Sequence, residues 1–414
     1  MSYNEIAVVG AGVVGICAAT YLAESGQRVV LFDRTGVCEE TSSGNAAALA
    51  FSDVLPLVQK GMMRKLPQWL KDPLGPLSIP PAYLPKLMPW LWRFWRASAD
   101  EHYEASLAAQ TALMGVAERE WMALIDRSGT RAMLNEHGSL DLYESQAEFE
   151  AELPGWEAKA RHGIEFRHLD MEEAAQIQPG LSPSFVRATF VPAWKNVSDP
   201  KLFSKAIYAY AETTGRVLFD RKTITGIVPG VQGAAVRFAD GGSEDFKAVV
   251  VCAGAWSKNL AAQLGDRVPL ETERGYNTTL PPGAFDVRCQ LIFPAHGFVI
   301  TPLSTGLRVG GAVELGGLKR PPNYARSRAM LEKAKRFLPG LRAEGGREWM
   351  GYRPSLPDSL PVIGKSTASP YVTYAFGHGH LGLTQAAATG ALVRDLVLGR
   401  MPPISLDPYS PQRF

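Results

Sequence analysis

Apolar and polar positions change period repeatedly along the 414 residues, and the changes delimit elements. Glu5 to Val9, EIAVV, is a short apolar run with β-branched residues and reads as a strand. Ile16 to Ser25 repeats Ala and Leu at helical spacing, and Gly26 ends that helix. Arg28 to Phe32, RVVLF, is a second strand that terminates at Asp33. Glu101 to Ser128 reads as a long helix, and Ser139 to Tyr143 and Phe185 to Val191 read as strands. Val217 to Phe219 and Thr223 to Ile227 look like a strand pair leading back to the first strands. From Leu270 to Glu314, alternating runs suggest an antiparallel sheet. A last helix runs from Leu383 to Leu398. Leu74 to Ala97 is broken by prolines in its first half. Its second half places Trp90, Trp92 and Trp95 near Arg93 and Arg96, a pattern open to internal packing or to docking on a membrane or a quinone-bearing partner.

Composition narrows the picture. The chain is 46% hydrophobic and 20% charged, the profile of a folded protein long enough for two domains. Its 43 basic and 41 acidic residues nearly cancel, so no global charge draws it to nucleic acid. Cys17, Cys38, Cys252 and Cys289 form no CxxC pair and read as isolated reduced thiols. The N-terminus has no signal-peptide pattern, and no run reaches the roughly 18 apolar residues of a membrane span. A soluble cytoplasmic protein, at most peripheral on the inner face of a membrane, is the expectation.

The candidate chemistry begins at Gly10-Ala11-Gly12-Val13-Val14-Gly15. A lone GxGxxG is a weak signal, but this one lies between a strand and a helix. Asp33 follows Gly15 by 18 residues, at the end of the next strand. Gly10 permits the tight turn, Gly12 admits a pyrophosphate, and Gly15 lets helix and strand approach. The helix N-terminus offers unpaired N–H groups to phosphate. Asp33 is suited to accept both ribose hydroxyls, and its charge disfavours a 2′-phosphate. The polar run Glu40 to Ala46, ETSSGNA, either forms a surface loop or donates hydrogen bonds to a pyrophosphate and a flavin edge.

The segments VVGAGVVG, LFDR and ETSSGNAA resemble those of the D-amino-acid dehydrogenase branch of the FAD-dependent amine oxidoreductases. That superfamily also holds D-amino-acid oxidase, glycine oxidase and sarcosine oxidase. VVVCAGAWS at Val249 to Ser257, GYRPSLPDSLPVIG at Gly351 to Gly364, and FGHGHLGLT at Phe376 to Thr384 agree, in family order. The resemblance implies an α/β fold. In it a Rossmann-like FAD-binding domain (1–79, 197–262 and 346–414) interleaves with a smaller α+β substrate domain (80–196 and 263–345) on an antiparallel sheet. It implies FAD contacts at Gly10, Gly12, Val13, Val14, Gly15, Asp33, Arg34, Thr41, Ser42, Ser43, Asn45 and Ala46. Ile224, Ala253, Gly254, Trp256 and Gly351 join them, as do Gly377, His378, Gly379, His380, Leu381, Gly382, Leu383 and Thr384. His378 and His380 are flavin contacts or merely parts of the turn. No cysteine lies between Glu348 and Gly364, so FAD is expected to be non-covalent.

The implied reaction is hydride transfer from Cα of a D-amino or D-imino acid to flavin N5. The resulting imino acid hydrolyses to a 2-oxo acid, whereas D-proline or hydroxy-D-proline would give a cyclic imine. Arg353, in GYRP, is the family's carboxylate-binding arginine, and a planar fork suits that task. Arg274, Tyr276 and Tyr352 are further candidates for the same carboxylate. His296 is a candidate to order a substrate polar group, and Glu314 to meet the ammonium. The expected partners are the amino or imino acid and an electron acceptor such as a quinone or an electron-transfer protein. A glycine- or sarcosine-type oxidase using oxygen is the alternative, and a non-catalytic FAD-binding subunit is the rival of another class.

Overall fold

The computed structural model describes residues 4–57 and 74–414. A six-stranded sheet, which carries the glycine-rich turn after its strand Glu5–Val9, forms one half of the structure. Its order is Val217–Asp220, Arg28–Phe32, Glu5–Val9, Ala248–Val251, Val372–Phe376 and Val362–Lys365. The first five strands are parallel, and the last is antiparallel. Both faces of this sheet are covered, which explains its uninterrupted apolar strands. Ile6, Val8, Val29, Leu31 and Val250 share one core with the helices Val13–Glu24, Pro200–Thr213 and Gly382–Leu398. Ala7, Val9, Val30, Phe32, Val249 and Val251 face the other way, onto the three-stranded sheet Ile224–Gly230, Gly233–Phe238 and Ser243–Phe246.

Two helices at the heart of this half touch backbone to backbone. A Cβ on Gly390 would come within 2.8 Å of the Cys17 carbonyl. The long helix Asp100–Ser128 adds Leu113, Val116, Ala117, Trp121 and Leu124 to the same core. The strand pair expected at 217–227 separates into two sheets. Val217–Asp220 pairs in parallel with Arg28–Phe32, and Ile224–Gly230 pairs antiparallel with Gly233–Phe238. Local sequence marks strands but not their partners, which are chosen by the packing of distant segments.

The second large sheet runs Arg347–Ser355, Glu271–Leu280, Gly306–Leu315, Phe298–Leu303, Gln290–Phe293, Ser139–Tyr143, Arg187–Val191 and Arg167–Leu169. It is antiparallel through residues 271–315, as the alternation predicts. Two parallel joints interrupt the pattern, between Gln290–Phe293 and Ser139–Tyr143 and between Leu77–Ser78 and Gly306–Leu315. One face packs Phe185, Phe293 and Phe298 against Phe337 of the helix Ala325–Phe337. Residues of the other face line a cavity of about 1230 Å³ that reaches to the nucleotide half.

Helix Leu84–Ala97 has two unlike faces. Leu87 and Trp90 are buried with Ile79 and Leu315, whereas Leu84, Met88, Trp92 and Trp95 are exposed. No helix among the described residues is long and apolar enough to cross a membrane.

Candidate active site

The turn after the first strand is built by glycine where nothing else fits. Gly10 has φ +107°, and a Cβ there would lie 2.5 Å from the Cys252 carbonyl oxygen. A Cβ on Gly15 would lie 1.8 Å from the Gly10 oxygen, so Gly15 supports the turn from beneath and does not line the cavity. Gly12, Val13 and Val14 do line it. The first-turn N–H groups of a helix have no intrahelical acceptor. The Ser42 hydroxyl takes that of Val13 at 3.0 Å.

Asp33 is more engaged than expected. Its Oδ1 accepts from Thr35 N–H, the Thr35 hydroxyl and Gly36 N–H, at 2.8, 2.8 and 3.2 Å. Among the described residues its Oδ2 accepts only from Ala11 N–H, at 2.9 Å. Oδ2 therefore keeps capacity for one ribose hydroxyl, whereas Oδ1 is filled, so the expected grip on both hydroxyls is corrected to a single acceptor atom. Ile224, Ala253, Gly254, Trp256 and Arg34 line the same end, with the Arg34 guanidinium 4.0 Å from the Trp256 ring centre.

The polar run forms the short turn Thr41–Gly44, tied to the substrate sheet. The Thr41 hydroxyl donates to the Tyr352 carbonyl at 3.1 Å and accepts Tyr352 N–H at 3.2 Å. Asn277 Nδ2 donates to the Gly44 carbonyl at 2.8 Å, while its Oδ1 is buried without a donor among the described residues. Arg308 donates from Nη1 to the Asn45 carbonyl at 2.6 Å, and burial draws its guanidinium down to about 10. Asn45 and Ala46 line the cavity. Ser43 does not, because its hydroxyl turns to the Glu40 carbonyl at 2.8 Å. Gly351 lines the cavity where the Trp349 ring lies against it, 2.0 Å from where a Cβ would sit.

The glycine-rich turn supplies the opposite wall. His378 through Thr384 line the cavity. Gly377 instead packs beneath, where Leu356 leaves no room for a Cβ. His378 Nε2 pairs with the Thr389 hydroxyl at 2.9 Å, and burial pushes its pKa down to about 3, so the ring is neutral. His380 Nε2 lies 3.3 Å from Asp53. Thr384 accepts Ala50 N–H at 3.1 Å and donates to the Ala48 carbonyl at 3.2 Å, pinning the start of helix Gly382–Leu398. A glycine turn at a helix N-terminus, an orphaned amide oxygen at Asn277 and a second helix N-terminus on the cavity wall suit a dinucleotide cofactor.

The substrate candidates divide. Arg353 lines the cavity over Gly275, whose Cβ would lie 2.4 Å from Nη2. Its guanidinium donates to the Ala312 carbonyl at 3.0 Å and makes no ion pair among the described residues. Directly opposite in register stands Glu273, only 6% exposed and also lining the cavity. Burial draws the Arg353 pKa down, and Glu273 draws it back up. Tyr352 lines the cavity and meets Trp256 edge-on at 5.5 Å.

Four candidates have other work. Arg274 is fully buried, donates to Glu314 at 3.0 Å and to the Pro321 carbonyl at 3.2 Å, and lies outside the cavity. Glu314 also lies outside it, held by Arg274 and by the Tyr276 hydroxyl. Tyr276 lines the cavity, but its hydroxyl is committed to Glu314 and to Asn323 N–H at 3.2 Å. His296 pairs with Glu144 at 2.6 Å, outside the cavity. Strand Glu271–Leu280 pairs with Arg347–Ser355 without a slip, and the extra residue of the bulge lies on Gly306–Leu315, between Gly311 and Glu314. Glu273, Gly275 and Asn277 follow a period of two onto the cavity face, and Arg274 points away from it. That alternation was the available signal for Glu273 and Asn277.

The whole architecture has relatives. The chain belongs to the family described as FAD dependent oxidoreductase, whose model matches residues 5–396. It is 34% identical to a D-amino-acid oxidase of Bradyrhizobium diazoefficiens, with 99% of each chain covered. It is 28% identical to a D-amino acid dehydrogenase of Neisseria meningitidis, again over 99% of each. Among solved structures, glycine oxidase from Geobacillus kaustophilus superposes with a TM-score of 0.76 at 22% identity, covering 99% of each chain. L-proline dehydrogenase from P. horikoshii gives 0.75 at 20% identity, covering 100% of this chain and 98% of that one. The protein is an FAD-dependent oxidoreductase.

Proposed function

We propose that the protein oxidises a D-amino or D-imino acid and passes the electrons to an acceptor other than oxygen. The cross-strand pair Arg353 and Glu273 in the cavity wall carries this reading. A zwitterionic amino-acid head offers a carboxylate to the Arg353 fork and an amine to the Glu273 carboxylate, and the two strands hold these partners in fixed register. FAD, when bound, supplies the hydride acceptor. Gly12 to Val14 and Ser42 would hold its pyrophosphate, Asp33 Oδ2 and Ile224 its adenosine end, and Asn277 and the Gly379–Thr384 turn its ring system. No cysteine lies in the GYRP strand or the glycine-rich turn, in keeping with non-covalent binding. The cavity walls limit water around the Cα–H bond, and the imino acid is hydrolysed after release. The names of the relatives support a D-configured substrate, and D-proline and hydroxy-D-proline remain within the class.

Helix Leu84–Ala97 supports a membrane-borne acceptor. Trp90, Leu91 and Phe94 line the cavity, while Trp92 and Trp95 are 52% and 56% exposed on the outer side with Lys86, Arg93 and Arg96. An apolar ridge flanked by cations suits peripheral contact with anionic lipid. A second reading, an oxidase, is favoured by the 34% identity to a D-amino-acid oxidase.

Anaerobic mixing of the yellow protein with D-amino acids, D-proline, cis-4-hydroxy-D-proline, glycine and sarcosine tests both. Bleaching by D-compounds and reoxidation far faster by a quinone analogue than by air is expected. Fast reoxidation by air would establish the oxidase. No bleaching by any amine would remove the catalytic reading in favour of a cofactor-binding subunit.

A further inference from the structure

The cavity has a branch that the amino-acid head does not need. It lies between strand Ser139–Tyr143 and one face of helix Gln146–Arg161. Asp141 stands at the centre of that strand, 9% exposed, with its side chain among the cavity-lining groups. It makes no hydrogen bond or ion pair among the described residues. A carboxylate so placed loses hydration and gains no hydrogen bond or ion pair in return, only a longer-range pull from Lys159, which is costly unless a ligand compensates.

The groups around it do not compensate. Lys159 lies 4.0 Å from Asp53, and its ammonium sits 4.4 Å from the centre of the Trp156 ring. His380 is turned to Asp53 as well. The polar atoms of the aromatic walls satisfy one another: Trp156 Nε1 donates to the Tyr143 hydroxyl at 2.9 Å, and Trp194 Nε1 to Gln290 at 3.1 Å. Glu148 and Glu152, on the facing helix, also line the branch. Four carboxylates therefore face one lysine and one histidine, and both of those are committed to Asp53. The branch is short of positive charge, and its walls are aromatic.

We propose that this branch binds the cationic end of the substrate's side chain, with Asp141 as its anion. Resting on the D-amino-acid reading, this names the substrate class as D-amino acids ending in an ammonium or guanidinium. The apolar stem would lie along Trp194, whose ring also favours a cation, while Lys159 already covers one face of Trp156. Arg353, Glu273 and Asp141 line the same cavity, and the proposal has one substrate engage them by its head and its tail.

The test compares D-arginine with its neutral analogue D-norleucine, in the wild type and in Asp141→Asn. The wild type is expected to favour D-arginine in kcat/KM, and the substitution to shrink that preference about 10- to 100-fold. Calorimetry with δ-guanidinovalerate, which lacks the reacting amine, gives a readout independent of turnover. Its tighter binding relative to hexanoate should fall by a similar factor in Asp141→Asn. If that variant does not retain FAD, the wild-type preference between the two carboxylates decides alone. Equal or better use of D-norleucine, or a preference that survives Asp141→Asn, overturns the proposal and leaves the D-amino-acid reading standing. Tight δ-guanidinovalerate binding without bleaching by any D-amino acid would keep the subsite and sink that reading. Failure of both sinks both.

Discussion

The two ends of the cavity are built on different principles. At the nucleotide end, backbone does the work: Gly10, Gly12 and Gly15 shape a turn, and the helix N-terminus presents N–H groups. At the end proposed to take substrate, side chains would do it: Arg353, Glu273 and Asp141 line the cavity from strands that lie far apart in sequence. The backbone end tolerates almost no volume, whereas the side-chain end is governed by whether each charge finds a partner. The first should fail sterically and all at once, and the second by degrees and with a dependence on charge.

Gly10→Ala should give the largest effect. A Cβ 2.5 Å from a carbonyl oxygen, at φ +107°, requires the turn to move. FAD affinity is expected to fall by about 100-fold or more, measured as flavin content after dialysis. Retained yellow protein would show that the turn adapts, and the contrast would weaken. Arg353→Ala should leave FAD bound and lower kcat/KM by roughly 100- to 1000-fold, mostly through KM, as expected for loss of a charge-assisted fork. A normal KM would remove Arg353 from substrate binding.

Glu314→Gln separates structural charge from functional charge. It leaves Arg274 buried with a weakened partner, so stability should fall by roughly 3 kcal/mol while KM changes little. Denaturant unfolding and steady-state kinetics on the same preparation measure both, and a large KM change with full stability would return Glu314 to the substrate.

The smallest effect is read as a function of pH. Burial raises the Asp141 carboxyl from 3.8 to about 7, with Asp53 and Glu152 adding to the rise and Lys159 opposing it. The folded state thus holds this proton more tightly than the unfolded one. Asp141 therefore costs stability progressively as pH rises from about 4 through about 7, by at most about 4 kcal/mol. Asp141→Asn should raise Tm by a few degrees at about pH 8 and by little at about pH 4.5. An equal shift at both values would mean that the carboxylate is not desolvated.

The nucleotide half was legible because its determinants are local. EIAVV, GAGVVG and RVVLF are contiguous, and their glycine spacing follows from the geometry of a single turn. GYRP likewise pointed to Arg353, which lines the cavity. Other substrate candidates misled because residue type says nothing about which face of a strand it occupies. Arg274 and Glu314 are the right chemistry on the wrong side of the sheet, next to Gly275 and Val313, which do line the cavity. Asp141 was a lone acid in the apolar strand SLDLY, a signal that the sequence contains but that only burial interprets.

The sequence by itself determined the cofactor-binding turn, most of the elements and the family, since each depends on residues close in the chain or on motifs in a set order. Tertiary structure decided which charges are paired within the protein and which are left facing a cavity. That depends on strand register, because a shift of one residue exchanges core for cavity.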